Sequence, residues 1–396
     1  MTVKKELFRN KILKELYFQD NLSCAELCIK IGKSFPVTTK LIEDLVEANW
    51  VIEVGYAIST GGRRPLVYSL QKKQMYLVSV AMDQFVTKIA IMDMQNNFVY
   101  PIEKIILPLP NNPRALQMLI EKIAWVIDQS GIEKAKFVGV GIGMPGFVNV
   151  KEGINYSFLQ LPHRKSITKY ISDKITLPVF IDNDSSLIAL AELRFGAAKG
   201  KKNAMVINIG WGVGMGLIIE GQLFRGHEGF AGEFSHIPLF LNGKLCRCGK
   251  VGCLETETSL LLIIEKANEE IQSGRLTKLT SLSLEDPELA SDDIIKAVQQ
   301  GDQFAIELFS NAGYNIGQGL AVLIHLLNPK VIILSGRGSA AGQIWQAPIQ
   351  QSLNEHCIPR LYQNTNIEIS TLGMKAELIG AVALVMENFE KIPVIK

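Results

Sequence analysis

Between Phe230 and Glu257 the chain reads FAGEFSHIPLFLNGKLCRCGKVGCLETE, which places Cys246, Cys248 and Cys253 in one short loop behind His236. Only six cysteines occur in 396 residues, and three of them fall in this loop. Packing gives no reason to crowd three soft thiols among glycines and lysines. A structural Zn²⁺ does, because it needs three thiolates and an imidazole at tetrahedral reach, with Gly249 and Gly252 letting the loop wrap the ion. The C-x-C and C-x4-C spacings depart from the common C-x2-C knuckle, and a redox loop or a chance cluster would share them. Four ligands with no fifth candidate nearby describe a closed structural site, whereas a catalytic zinc keeps one position open. Glu233 and Glu255 bracket the cluster, so a metal that folds the loop also sets where those carboxylates point.

The length suggests two to three domains at roughly 100–200 residues each. With 47% hydrophobic and 20% charged residues, the chain has the composition of a well-cored globular protein. No apolar run reaches the roughly 18 residues a bilayer-spanning helix needs, and the start MTVKKELFRNK lacks a signal-peptide hydrophobic region. A cytoplasmic location without membrane attachment is expected. Clustered thiols in a reducing compartment read as metal ligands before disulfides. Cys24, Cys28 and Cys357 are expected to be small buried hydrophobes. A net charge of +2 confines any nucleic-acid contact to a local patch.

Residues 1–71 read as a reader head. Leu7, Ile12, Leu13 and Leu16 recur at roughly helical spacing, and Ser23 with Glu26 forms a capping-box pattern for a second helix that Gly32 ends. Ser34 and Pro36 open a third helix, in which Val37, Leu41 and Leu45 fall on one face. Two helices joined by a short glycine turn match a helix-turn-helix, whose second helix enters the DNA major groove with its first residues nearest the bases. Ser34, Phe35, Thr38, Thr39 and Lys40 are the candidate DNA contacts on that helix. WVIEV and LVYSL then predict two strands joined by TGGRRP, a thin cationic tip in which Arg63 and Arg64 suit phosphate or minor-groove contact. A helical oligomerisation module with a solvated basic loop is the blander reading of the same pattern.

After a short run from Gln71 to Gln74, alternating apolar strands begin: MYLVSVAM, TKIAIMDM, then a helix ending near Ser130 and the buried strand KFVGVGIGMPGFV. This succession suits an α/β body. Helices are predicted around Asp302 to Phe309 and Tyr314 to Leu327, ahead of the buried strand in NPKVIILSG.

The run GEFSH followed by CRCGKVGCLE resembles the signature of the ROK family (repressors, open reading frames and sugar kinases), and the resemblance covers nearly the whole chain. It implies a two-lobed actin-like ATPase body of the ROK sugar-kinase type at 75–396. The first lobe would take about 75–185 plus a C-terminal helix at about 376–392, and the second about 186–375 with the zinc loop at 236–253. It also implies that His236 and the three cysteines hold zinc, and that Glu233, His236 and Glu255 touch a sugar in the cleft between lobes. PVFIDNDSSL resembles the family's P-V-x-x-x-N-D-A, making Asn183 a sugar contact and Asp184 the counterpart of the kinase's general base. Pro145 and Gly146 match the loop over the sugar. Ser235 stands where the family usually has glycine, and Gln160 where N-L-P is common.

The nucleotide side departs further. The family's D-x-G-G-T turn is here Asp83, Gln84, Phe85, Val86, Thr87; its G-T-G is Gly210, Trp211, Gly212; and Arg337 interrupts glycines near the adenosine position. Bulky side chains cannot adopt what glycine allows and fill space that a phosphate needs. Three such losses imply no ATP turnover, no catalytic residue, and a vestigial role for Asp184. The chain is thus expected to be a sugar-responsive, DNA-binding transcriptional repressor of carbohydrate-utilisation genes. Its partners would be a double-stranded operator, a monosaccharide or sugar-phosphate effector, a second copy in a homodimer or homotetramer, and, as a further option, a protein of sugar transport. The rival expectation is an active ATP-dependent kinase of the glucose, N-acetylglucosamine or N-acetylmannosamine class with a fused DNA-binding head.

Overall fold

The computed structural model describes residues 3–57, 64–280 and 282–392. They form two compact units, the first of residues 1–184 and 378–396 and the second of 185–377.

The first unit opens with α1 (Val3–Gln19), β1 (Leu22–Ser23), α2 (Cys24–Ile31), α3 (Phe35–Glu47), β2 (Val51–Tyr56) and β3 (Leu66–Leu70). Ser23 caps α2 in a complete capping box with Glu26, and Gly32 ends it in the left-handed conformation, φ 65°. The three strands pair antiparallel in the order β1-β3-β2, with an irregularity at Gly55. Three helices and this small sheet have the element order of a winged helix-turn-helix.

The apolar face of α3 is not the expected one. Thr38, Leu41, Ile42 and Leu45 are buried, while Val37 is 46% exposed. The spacing i, i+3, i+4, i+7 keeps this stripe facing the core. Thr38 can join it because its hydroxyl donates to the Ser34 carbonyl at 3.1 Å, which leaves only its methyl to pack.

The rest of the first unit is built on β4 (Tyr76–Met82), β5 (Val86–Asp93), β6 (Glu103–Ile106), α4 (Ala115–Gln129), β7 (Phe137–Met144), β8 (Val148–Asn149), β9 (Ile154–Asn155), α5 (Ile167–Ile175) and β10 (Val179–Asn183). The main sheet runs β10-β7-β4-β5-β6: the first three are parallel, and β5 and β6 fold back as a meander. Val78, Val80, Ile89, Ile91, Val140, Ile142 and Ile181 pack with the apolar faces of α4 and α5 in one core.

The second unit repeats the plan. After α6 (Asp184–Phe195), whose first residue belongs to the first unit, come β11 (Ala204–Ile209), β12 (Val213–Ile219), β13 (Gln222–Phe224), α7 (Glu255–Thr258), α8 (Leu260–Gln272), α9 (Pro287–Gln299), α10 (Gln303–Leu327), β14 (Val331–Ser335), α11 (Gln346–His356), α12 (Pro359–Tyr362) and β15 (Asn366–Ile369). The order β13-β12-β11-β14-β15 has the same meander and the same three parallel strands. The two helices expected around 302–327 are one helix of 25 residues. Its glycines do not break it because they admit neighbours: a Cβ at Gly313 would lie 2.8 Å from Pro348, and one at Gly317 would lie 2.5 Å from Ser352.

The chain returns to the first unit within α13 (Ala376–Glu387). Gly141 of β7 lets this helix lie directly on the strand, since a Cβ there would fall 1.9 Å from the Ala381 carbonyl oxygen. The following residues reach the head. Asn10 donates to the Phe389 carbonyl at 3.3 Å, Lys14 donates to the Glu387 carbonyl at 3.0 Å, and Lys14 also pairs with the Glu387 and Glu390 carboxylates. Tyr17, buried in α1, donates to the Asn96 side chain, and the Gln95 amide donates to the Leu70 carbonyl at 3.0 Å. Burial, followed by the charge of Asp93, raises the Tyr17 phenol well above its ordinary range, so it stays a donor. The head is therefore part of the first unit.

Candidate functional site

Cys246, Cys248, Cys253 and His236 bring one ligand atom each to within 4.8 Å of the others. His236 Nδ1 lies 3.6 Å from Cys246 Sγ, and Cys248 Sγ lies 3.5 Å from Cys253 Sγ. Tetrahedral zinc with Zn–S of about 2.3 Å and Zn–N of about 2.0 Å would set these edges at about 3.5–3.8 Å. The donor set and spacing fit a closed metal centre. The loop can take this shape because Gly252, at φ 78°, lies against Phe240, whose carbonyl oxygen would be 1.8 Å from any Cβ. Burial, followed by the neighbouring thiols, pushes the Cys253 thiol up to about 12, and burial also raises Cys246. A bound dication reverses that balance by holding thiolates.

His236 presents its other nitrogen away from the cluster, Nε2 lying 3.7 Å from Glu233 Oε2. One imidazole can thus serve the loop with Nδ1 and a polar ligand with Nε2. Glu233 is 43% exposed, yet the surrounding chain desolvates its carboxyl and raises its pKa; Glu255 adds to the rise and His236 opposes it. Glu255 starts α7 immediately after the loop, and its Oε2 accepts from the Val213 amide at 3.4 Å. Gly212 makes that approach possible, because a Cβ there would be 2.6 Å from the same oxygen.

In the first unit the expected residues lie at the carboxyl ends of the adjacent parallel strands β7 and β10, where open α/β sheets hold ligands. The Asn183 amide donates to the Gly146 carbonyl at 3.1 Å, and Asp184 follows as the first residue of α6. Gly146 has φ 88°, and a Cβ there would meet the Ser157 hydroxyl at 2.5 Å. Sequence reasoning missed the residue that orders this loop. Asn155, fully buried, donates to the Pro145 carbonyl at 3.0 Å and accepts from the amides of Ser157 and Phe158 at 2.9 and 2.8 Å. An asparagine inside INYSF carries no pattern that announces such a role. Gln160 turns its amide onto the Tyr156 carbonyl.

The turns that differ from the kinase pattern are internally satisfied. Asp83 Oδ1 accepts from the amides of both Phe85 and Val86 at 2.7 Å, closing the β4–β5 turn on itself. In the second unit Trp211 is 8% exposed, with the Arg337 guanidinium 5.3 Å from its ring centre. Arg337 is itself ion-paired with Glu288 and, at 2.8 Å, with Asp292.

In the head, Ser34, Phe35 and Lys40 are exposed and Thr39 is half-buried, its hydroxyl 3.4 Å from Cys24 Sγ. Thr38 is fully buried and packs in the core of the head, which corrects its assignment as a DNA contact. Arg64 is exposed, and Arg63 lies outside the described residues. Of the three remaining cysteines, Cys24 and Cys357 are buried and Cys28 is partly so. No helix among the described residues is long and apolar enough to cross a membrane.

Comparison with known proteins gives these features a family. The family model for ROK matches residues 80–388. A xylose repressor of Caldicellulosiruptor bescii is 25% identical over 99% of this chain and 98% of its own length. A glucokinase of Halalkalibacterium halodurans is 33% identical over 68% of this chain and 84% of its own. The crystal structure of a ROK family transcriptional regulator, a homologue of the Escherichia coli MLC protein, superposes with a TM-score of 0.79, covering 98% of this chain and 97% of that one at 25% identity. The glucokinase match spans 68% of this chain, whereas the xylose repressor and the regulator structure span 99% and 98% of it. On the extent of these matches, the chain belongs to the ROK family.

Proposed function

We propose that this protein is a sugar-responsive, DNA-binding transcriptional repressor of carbohydrate-utilisation genes, acting in the cytoplasm as a homo-oligomer. The observation that carries the reading is a head with the element order of a winged helix-turn-helix, packed in the first unit ahead of residues that match the ROK model, in a chain that a xylose repressor matches over 99% of its length. A monosaccharide or its phosphate is the proposed effector, and Gly146, Asn183, Asp184, Glu233, His236 and Glu255 are its proposed contacts. The carboxylates and the Asn183 amide accept and donate to sugar hydroxyls, which is recognition without group transfer. A Zn²⁺ held by His236, Cys246, Cys248 and Cys253 supplies structure: it fixes the loop that carries Glu233 and Glu255.

The internally satisfied turns at Asp83 and Trp211 favour binding over phosphorylation. The Phe85 and Val86 amides are engaged by a carboxylate of the chain, and an indole with a paired guanidinium fills the second turn. Asp184 then accepts a hydrogen bond from a sugar hydroxyl without removing its proton, since the hydroxyl oxygen has no phosphoryl group to attack. For the sugar to release DNA it must prefer one body conformation over another by a few kcal/mol. The two-fold pairing of such heads makes a palindromic operator the expected target, and a protein of sugar transport is a further candidate partner.

The test is capture and sequencing of genomic fragments bound by the purified protein, with and without a panel of monosaccharides and their 6-phosphates. A short palindrome released by one sugar is the expected result. No enrichment at modest salt, together with ATP-dependent sugar phosphorylation, would overturn the repressor reading in favour of a kinase.

A further inference from the structure

We infer that the head reads thymine methyl groups through Phe35 and Val37, so that its half-site carries A·T pairs at the positions under the start of α3. The inference rests on the head being a DNA reader and adds what it recognises.

Three features of α3 lead there. First, Phe35 and Val37 sit in its first turn and are 58% and 46% exposed, although four other residues of the same helix are buried in the head's core. Exposed apolar side chains at the entering end of a recognition helix have one sequence-specific use in the major groove, contact with the C5-methyl of thymine. Second, the helix is asymmetric in charge. Lys40 is the only charged residue in its first half, while Glu43, Asp44 and Glu47 occupy the second. A groove walled by phosphates repels the acidic half, so α3 enters by its N-terminal end, which brings Phe35 and Val37 to the bases. Third, Thr38 is excluded as a base reader because it is fully buried, with its hydroxyl on the Ser34 carbonyl. Ser34 makes no side-chain capping bond and, with Lys40 and the nearby Lys33, suits phosphate contact and register. The reading residues of the first turn are therefore apolar, and they match a thymine methyl better than a guanine or cytosine edge.

The experiment uses the full chain and its own captured site. Each thymine of one half-site is replaced singly by deoxyuridine, which keeps the base pair and removes only the methyl. At one or more positions the unmodified protein should bind about fourfold more weakly, the loss expected for one buried methyl-sized group. Phe35→Ala or Val37→Ala should abolish the difference at its own position, and Phe35→Leu should keep most of it. If no thymine is sensitive, or if both alanine variants remain fully sensitive, the thymine reading fails while the reader stands. If no DNA is captured at all, both fail.

Discussion

Replacing Gly212 by Ala should displace one carboxylate and little else. The added Cβ would lie 2.6 Å from Glu255 Oε2, and ordinary contact begins near 3.4 Å, so the oxygen must retreat by the difference and give up its 3.4 Å bond from the Val213 amide. Gly212 is not among the residues with positive φ, so alanine costs no backbone strain. The clashing atom is the end of a flexible side chain, so stability should fall by no more than about 1 kcal/mol, at the low end of what single substitutions cost. Losing one charged hydrogen bond to a sugar hydroxyl costs about 1.5–3 kcal/mol, which is a factor of roughly 10–150 in affinity. The assay pairs chemical denaturation with titration of operator release by the inducing sugar. Gly212→Ala should need much more sugar for half-release at nearly unchanged stability, and in a Glu255→Ala background, where no side-chain end remains to be displaced, it should add almost nothing. An unchanged release midpoint would refute the placement of Glu255 in the effector site. An equal loss added on top of Glu255→Ala would show that Gly212 acts by another route.

Three further outcomes follow from other parts of the molecule. Cys253→Ser should lower bound zinc, measured by elemental analysis, and blunt sugar release together, and a variant with full zinc and normal release would remove the thiol from the centre. Gly141→Ala should cost about 3 kcal/mol or more, because the new methyl meets the Ala381 carbonyl at 1.9 Å and α13 must lift; a loss under about 1 kcal/mol in denaturant would contradict that packing. In the capping box, the Ser23 amide and then its hydroxyl hold the Glu26 carboxyl below its ordinary value. A depressed folded pKa contributes stability that is complete above the unfolded value of about 4.5 and is lost as pH falls through the lower folded value. Glu26→Gln should flatten that acid-side slope of the denaturation midpoint, and an unchanged slope would mean the box contributes nothing.

Much of this was legible locally. The cysteine spacing located the metal loop, the Ser23–Glu26 pair located the start of α2, and the glycine losses at Phe85, Val86 and Trp211 marked turns that close on themselves. The places where sequence reasoning erred are those where one contact overrides a pattern. Val37, Leu41 and Leu45 look like a helix face at four-residue steps, but a hydroxyl that can bond back to Ser34 lets Thr38 take the inside position and turns Val37 out. The helices expected at Asp302 to Phe309 and Tyr314 to Leu327 are one, and Gly313 and Gly317 within it mark where α11 presses on α10. Asn155 and the docking of α1 on the residues after α13 left no local signal, because the partners of the latter are separated by more than 370 positions.

That separation has a consequence for how the protein is made. The head is translated before the body, but the groups that cover one side of α1, namely the Phe389 and Glu387 carbonyls and the Glu390 carboxylate, are added 373 to 379 residues after their partners. At about 5–20 residues per second this is an interval of roughly 20–75 s. During it α1 lacks the partners of Asn10 and Lys14. A polypeptide that stops short of Glu387 would carry a reader whose α1 is never fully covered.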